Sequence, residues 1–235
     1  MSYTEYAPAP ALRAHVRCLW TDLGTTGRPQ RVLPDGSLDL LWLDGRLAVA
    51  GPDTTWRLAA LPAGSAVAGL RFRPGAARLL LGGVPAAELR DRTVPAEDLW
   101  ALPRLGERVA SPAEAARFLE ETAVGRLTGF GELDPLVMAV TRALDRPAPP
   151  PVPDLAARAG LSERTLRRRL VDAVGYGPKT LERILRFQRV VQAGPGGLAR
   201  VAAEAGYADQ AHLSREFRRL AGYPPSSLPG QPTNA

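Results

Sequence analysis

The 235-residue chain has room for about two domains, and 45% hydrophobic residues with a mean hydropathy of −0.12 describe an ordinary globular protein rather than a disordered or fibrous one. A single cysteine, Cys18, excludes an intramolecular disulfide, two histidines exclude a His-rich metal cluster, and no apolar run approaches the ~20 residues of a membrane-spanning helix. The net charge of +6 is held unevenly: residues 151–235 carry 13 Arg/Lys against 7 Asp/Glu, residues 1–150 carry 17 of each, and a neutral module joined to a basic one fits a sensor joined to a polyanion binder.

Met1–Pro10 lacks the basic-then-apolar layout of a signal peptide, so the expected compartment is the cytoplasm. A helical turn and then a strand near Val16–Leu23 follow, with Cys18 as a small buried hydrophobe. Residues 24–30 read as a loop. Residues 31–52 read as strands broken by turns at Pro34-Asp35-Gly36 and Asp44-Gly45, the second with hairpin chemistry. Trp56–Ala60 and Ser65–Phe72 are further strands, the latter closed by Arg73-Pro74-Gly75 before a short helix at Ala76–Leu81. Residues 85–100 are loop and short helical pieces, and two longer helices follow over Pro112–Leu127 and Leu133–Leu144. The expected fold class is α+β: a β-rich barrel or sandwich with a helical part over about 111–146, forming a first domain over 1–147. The Pro-rich stretch 146–153 cannot continue a helix, and 148–153 is taken as the linker to an all-α domain over 154–230.

That last third opens with a helical stretch ending at Gly160 and continues into Ser162–Val174, with Ser162 as N-cap. Leu166 and Leu170 share an apolar edge, while Arg164, Arg167 and Arg168 fall on another face. Helix, short Gly-containing turn, basic helix is the pattern of a helix-turn-helix. A solvated arginine face explains one such copy equally well, but the pattern recurs. Leu155, Gly160, Leu166, Leu170, Gly175, Tyr176 and Pro178 correspond to Val201, Gly206, Leu213, Phe217, Gly222, Tyr223 and Pro225, and Ser162 to the N-cap residue Asp209. Caps, core positions and terminators repeat together, with one extra residue in the second turn. Between the copies, Pro178–Gln192 is a helix with an apolar stripe at Leu181, Ile184, Leu185 and Val191.

On these residues the region resembles the DNA-binding domain of AraC/XylS-type transcription regulators, above all in the segment GYADQAHLSREFRRLAGYPPSSL. The resemblance implies two helix-turn-helix units joined by a long helix. Ala211 and Ser214 are small where the family often carries larger polar groups, which implies fewer base contacts. The segments LPDGSLDLLW and GLRFRPGAARLLLG look like the N-terminal domains of some AraC-type regulators, which implies effector binding, dimerisation, or both.

By family position, Arg164, Arg167 and Arg168 of the first unit and Gln210, Ala211 and Arg215 of the second face DNA; arginine bonds guanine O6 and N7 bidentately, and glutamine bonds adenine. His212 serves a base, a phosphate or solvent, and Arg169 and Arg218 are phosphate or surface residues. In the first half the effector candidates are Trp20, Asp35, Trp42, Arg71 and Arg73. Each has a plainer reading: strand tryptophans are core, Asp35 and Asp39 serve turns and caps, and Arg71 and Arg73, alternating on one strand face, form salt bridges or face solvent. No catalytic residue, metal ligand or cofactor motif emerges: GLRFRPG lacks the spacing of a phosphate loop, and there is no G-x-S-x-G or H-E-x-x-H. The expected function is a transcription regulator, not an enzyme. Its partners are double-stranded DNA, with RNA polymerase, a small-molecule effector and a second copy of the chain as further candidates, and no membrane. The competing readings are a DNA-tethered enzyme or repair protein, and a DNA-binding protein that needs no ligand.

Overall fold

The structure, a computed structural model, describes residues 3–23, 29–43, 45–59, 63–100, 111–127, 132–194 and 196–228. Expectations placed on residues 24–28, Asp44 and Ala60 lie outside these.

The first half is built on one antiparallel sheet. Strands β1 (Thr4–Tyr6), β2 (Val16–Leu23), β3 (Gln30–Val32), β4 (Asp39–Leu43), β5 (Arg46–Ala50), β6 (Arg57–Ala59), β7 (Ala66–Phe72) and β8 (Thr93–Pro95) divide into a six-stranded sheet, ordered β1-β2-β7-β4-β5-β8, and a two-stranded ribbon of β3 and β6. Alternation assigns the faces of the large sheet. Leu19, Leu40, Trp42, Val49, Leu70 and Phe72 face a core closed by helix α1 (Pro112–Leu127), which packs on β7, β2 and β4. The opposite face carries Trp20, Leu41, Leu43, Ala48 and Ala50, and the β3–β6 ribbon lies on that side. Trp20 lies flat across β7 because Gly69 leaves room for it: a Cβ on Gly69 would sit 2.2 Å from the indole.

The expected helix at Ala76–Leu81 is only a 3-10 turn, Ala77–Leu79. The Arg73-Pro74-Gly75 turn precedes it, and Gly82 and Gly83 follow with φ of 63° and 98°, too little chain for α-helical bonding to propagate.

The helical half comprises α2 (Pro135–Leu144), α3 (Val152–Arg158), α4 (Glu163–Val174), α5 (Pro178–Ala193), α6 (Leu198–Ala205) and α7 (Gln210–Ala221). Two clusters divide it. Val137, Val140 and Leu144 of α2 pack with Leu155, Leu166 and Leu170 of the first unit and with Ile184 of α5. Phe187 and Val190 of α5 pack with Val201, Leu213, Phe217 and Leu220 of the second. Thus α2, grouped with the N-terminal domain in the sequence, shares the core of the first helix-turn-helix. A helix there was legible locally, but its packing partner was not.

The halves are interlocked rather than held apart by a stiff linker. The segment after β5 reaches both units. A Cβ on Gly175, which caps α4 at φ 95°, would fall 2.4 Å from Pro52; one on Gly222, which caps α7 at φ 76°, would fall 2.4 Å from the Trp56 indole nitrogen. Arg31 donates to the Ala221 carbonyl at 2.7 Å and stacks between Trp56 and Tyr223. Thr55 Oγ1 donates to the Arg219 carbonyl, and Gln188 donates to the Pro34 carbonyl.

Candidate nucleic-acid interface and effector cavity

Each candidate recognition helix starts on a side-chain cap. Ser162 Oγ accepts from the Thr165 amide at 3.2 Å, and Asp209 Oδ1 accepts from the His212 amide at 2.6 Å. The caps satisfy amides that α4 and α7 leave unbonded at their first turns, and the carboxylate of Asp209 also complements the positive end of α7. Asp209→Ala is therefore expected to lower stability by about 1 kcal/mol, measured by urea denaturation of the full chain, with Asp209→Asn recovering most of it. An Asn variant as unstable as Ala would remove the capping role.

Burying one face of each helix exposes the other. Leu166 and Leu170 of α4 and Leu213 and Phe217 of α7 are fully buried. Arg164, Arg167 and Arg168 on α4, and Gln210, Ala211 and Arg215 on α7, are exposed. The remaining candidates are tethered to differing degrees. His212 is half-buried, edge-on to Tyr207 and 3.9 Å from Glu216, which Arg186 holds at 3.3 Å. Arg169 lies 3.9 Å from Asp134, the N-cap of α2. Arg218 is exposed in the last turn of α7, about 12 Å along the axis from Gln210.

The effector candidates separate. Trp20, Asp35 and Arg71 line a cavity of about 730 Å³ between the outer face of the large sheet, the β3–β6 ribbon and the C-terminal half of α5. Trp42 does not: it faces the α1 core at 8% exposure, because its position on β4 has the parity of Leu40, whereas Leu41 and Leu43 face the cavity. Arg73 lies beyond the end of β7, donates to the Arg13 carbonyl and lines a neighbouring cleft. Arg71 and Arg73 therefore do not share a strand face as expected, because the strand ends at Phe72.

Arg71 is the electrostatic centre of the cavity. It bonds both Asp39 oxygens at 3.1 and 3.0 Å across the β4–β7 register, and lies 3.1 Å from Asp35 and 3.9 Å from Glu5. Burial opposes its charge, but Asp39 and Asp35 outweigh that and raise its pKa above the ordinary arginine range. Asp35 also accepts from the Ser37 amide, a turn role, whereas Asp39 belongs to β4 and also accepts from the Trp20 indole. Burial pushes the Cys18 thiol up to about 12. On the cavity wall, Gln188 had no local signal and Val191 read only as part of the apolar stripe of α5; the helix brings both to the distant sheet. Among the described residues no group of three or more His, Cys, Asp or Glu is placed to hold a metal ion, and no helix is long and apolar enough to cross a membrane.

Comparison with known proteins finds similarities in both halves of the chain. Residues 4–95 match a family described as a domain of unknown function (DUF6597), and residues 155–229 match a family described as a helix-turn-helix domain. A putative AraC-like transcription regulator of Streptomyces lividans is 36% identical over 110 residues, 44% of this chain. The match spans only about a third, 36%, of that relative's length. Among solved structures, ToxT of Vibrio cholerae aligns over 89% of this chain and 97% of its own at 11% identity, with a TM-score of 0.51. A ToxT structure with bound unsaturated fatty acid aligns over 88% and 93% at 12% identity, also with a TM-score of 0.51. At such identities the likeness is one of fold, and it extends through both halves.

Proposed function

We propose that this chain, whose residues 155–229 match a helix-turn-helix family and which is similar in part to an AraC-like regulator, is a sequence-specific transcription regulator that reads two successive major-groove segments of one duplex with α4 and α7. The observation that carries the reading is the repetition: two capped helices, each with one side sealed into a core and the other presenting arginine, or arginine and glutamine, to solvent. Core packing requires the buried faces; it does not require Arg164, Arg167 and Arg168, or Gln210 and Arg215, opposite them. Base edges do, since guanidinium and carboxamide forks match guanine and adenine in the major groove. Arg169 and Arg218, set off from these, serve the phosphates.

The geometry sets a condition on the DNA. The 16 residues of α5 span about 24 Å, less than the roughly 34 Å between successive major-groove segments. The turns flanking α5 supply the difference, or the duplex bends at a cost of a few kcal/mol. Control by the first half has a physical route. The cavity is of the size that holds a small molecule, one wall is α5 itself, and Arg31, Pro52 and Trp56 sit on the C-terminal ends of both recognition helices. An effector in the cavity thus touches the helix that fixes the spacing of the two readers.

Arg168→Ala and Arg215→Ala should each weaken specific binding by about 1–3 kcal/mol and relax preference at different bases, about one helical turn apart. Arg218→Ala should lower affinity evenly across sequences and reduce the salt dependence of binding by about 0.9 in log–log slope. Selection of binding sites from a random pool by each variant decides the matter. If Arg168→Ala and Arg215→Ala alter the same few base pairs, the two-groove arrangement is wrong.

A further inference from the structure

A second cleft, of about 470 Å³, lies where the N-terminal domain meets α2 and α5, and its lining is unlike that of the effector cavity. Arg13, Arg17 and Arg73 project from the first half, and Arg142 and Arg189 from the helices. Its two carboxylates are already engaged: Asp35 lies 3.1 Å from Arg71, and Asp145 lies 3.8 Å from Arg189. Arg13, Arg17 and Arg142 are exposed and form no ion pair with a carboxylate among the described residues. Arg73 is oriented by its bond to the Arg13 carbonyl. Behind them, the Nε, Nη1 and Nη2 atoms of Arg189 are all buried without a hydrogen-bond partner, an arrangement that costs free energy; the largely exposed Asp145, at 3.8 Å, is the one carboxylate among the described residues at ion-pair distance.

Five guanidinium groups around one concavity repel each other and focus a positive potential into it. An oxyanion removes that repulsion, and its geometry matches the planar forks that surround it. We propose that this cleft binds a compact, multiply charged oxyanion, held by Arg13, Arg17 and Arg73 from one side and by Arg142 from the other. Arg189 contributes its field from behind rather than a contact. The occupant is a small molecule and not the DNA backbone, because the arginines line a recess whose volume suits a small ligand and excludes a duplex. Since its binding groups come from both halves, the anion fastens their junction. The inference stands apart from the proposed DNA recognition; with the effector cavity the cleft shares the wall of Arg17, Asp35, Gln188 and Gln192, of which Arg17 alone is assigned to the anion.

Titration calorimetry of the full chain with sodium pyrophosphate and, separately, citrate, at ionic strength held constant with sodium chloride, tests this. At least one should bind saturably at a single site. Arg13→Ala and Arg142→Ala, which lie on opposite walls, should each weaken that binding by about tenfold or more, while Arg46→Ala, exposed elsewhere, should not. Pyrophosphate alone identifies a phosphate-bearing ligand, citrate alone a polycarboxylate, and both together a site that reads charge. No saturable binding by either anion overturns the proposal, as does binding that neither wall variant weakens. If Arg13→Ala and Arg142→Ala instead lower duplex affinity and its salt slope, the arginines belong to the DNA backbone and the small-anion site is wrong.

Discussion

Phe217→Ala is expected to cost about 3–5 kcal/mol and to undo the second helix-turn-helix unit while leaving the first. Phe217 is fully buried, with its ring 5.0 Å from Phe187 of α5 and 5.7 Å from Tyr223. It therefore ties α7 to the connecting helix and to the turn that follows α7. Truncation removes the apolar surface, leaves a cavity beside Phe187, Leu213 and Leu220 in the second cluster, and forfeits the ring pairs, which contribute about 0.5–1.5 kcal/mol beyond burial. A domain holds only about 5–15 kcal/mol of net stability, so the loss is a large fraction of it. Because Phe187 and Ile184 point from α5 into different clusters, the damage should stay local. Hydrogen exchange should accelerate across α6 and α7 and much less across α3 and α4, and footprints should lose protection at one half of the site. Phe217→Leu should recover most of the loss. A drop below 1 kcal/mol, or loss of protection in both units alike, would contradict the division into two cores.

Gly222→Ala is expected to release the second unit from the N-terminal domain. At φ 76° an alanine carries left-handed strain of about 1–2 kcal/mol wherever it is placed. At this position its Cβ also meets Trp56 at 2.4 Å and the Arg31 guanidinium at 2.9 Å, adding overpacking of about 1–3 kcal/mol. Gly160 supplies the reference, since its φ is 64° and a Cβ there meets nothing within 4 Å. Gly160→Ala should show the strain alone, and the difference between the two variants is the cost of the contact. A double-mutant cycle completes the test: in a Trp56→Ala background the excess cost of Gly222→Ala should largely vanish, a coupling of about 1 kcal/mol or more. Additive effects would mean that Trp56 does not bear on the end of α7.

The contrast between these two positions shows what was legible in the sequence. Ser162, Asp209, the Leu166/Leu213 and Leu170/Phe217 pairs and the Gly175/Gly222 terminators are local signals. A cap acts within three residues and an apolar stripe repeats every turn, so each helix of the double unit can be read from its own residues, and repetition removes the ambiguity of one copy. The strands at Val16–Leu23 and Ser65–Phe72 were readable for the same reason. The effector candidates were not separable in this way. Trp20 and Trp42 are both strand tryptophans, and only pairing in the sheet assigns one to the cavity and the other to the core. Asp39 looked like a turn residue until β4 and β7 aligned it with Arg71.

The sequence by itself determined the two repeated helices α4 and α7, their caps, their buried and exposed faces and the β-rich character of the first half, because those follow from chemistry between residues a few positions apart. Only the tertiary structure decided that α2 completes the first unit's core, that α5 walls the cavity, and that Arg31, Pro52 and Trp56 hold the ends of α4 and α7. Arg31 and Ala221 are 190 residues apart, and nothing in the chain near either announces the other. Such contacts depend on how whole layers pack, through buried area and shape summed over many residues, and that sum exists only once the chain has folded.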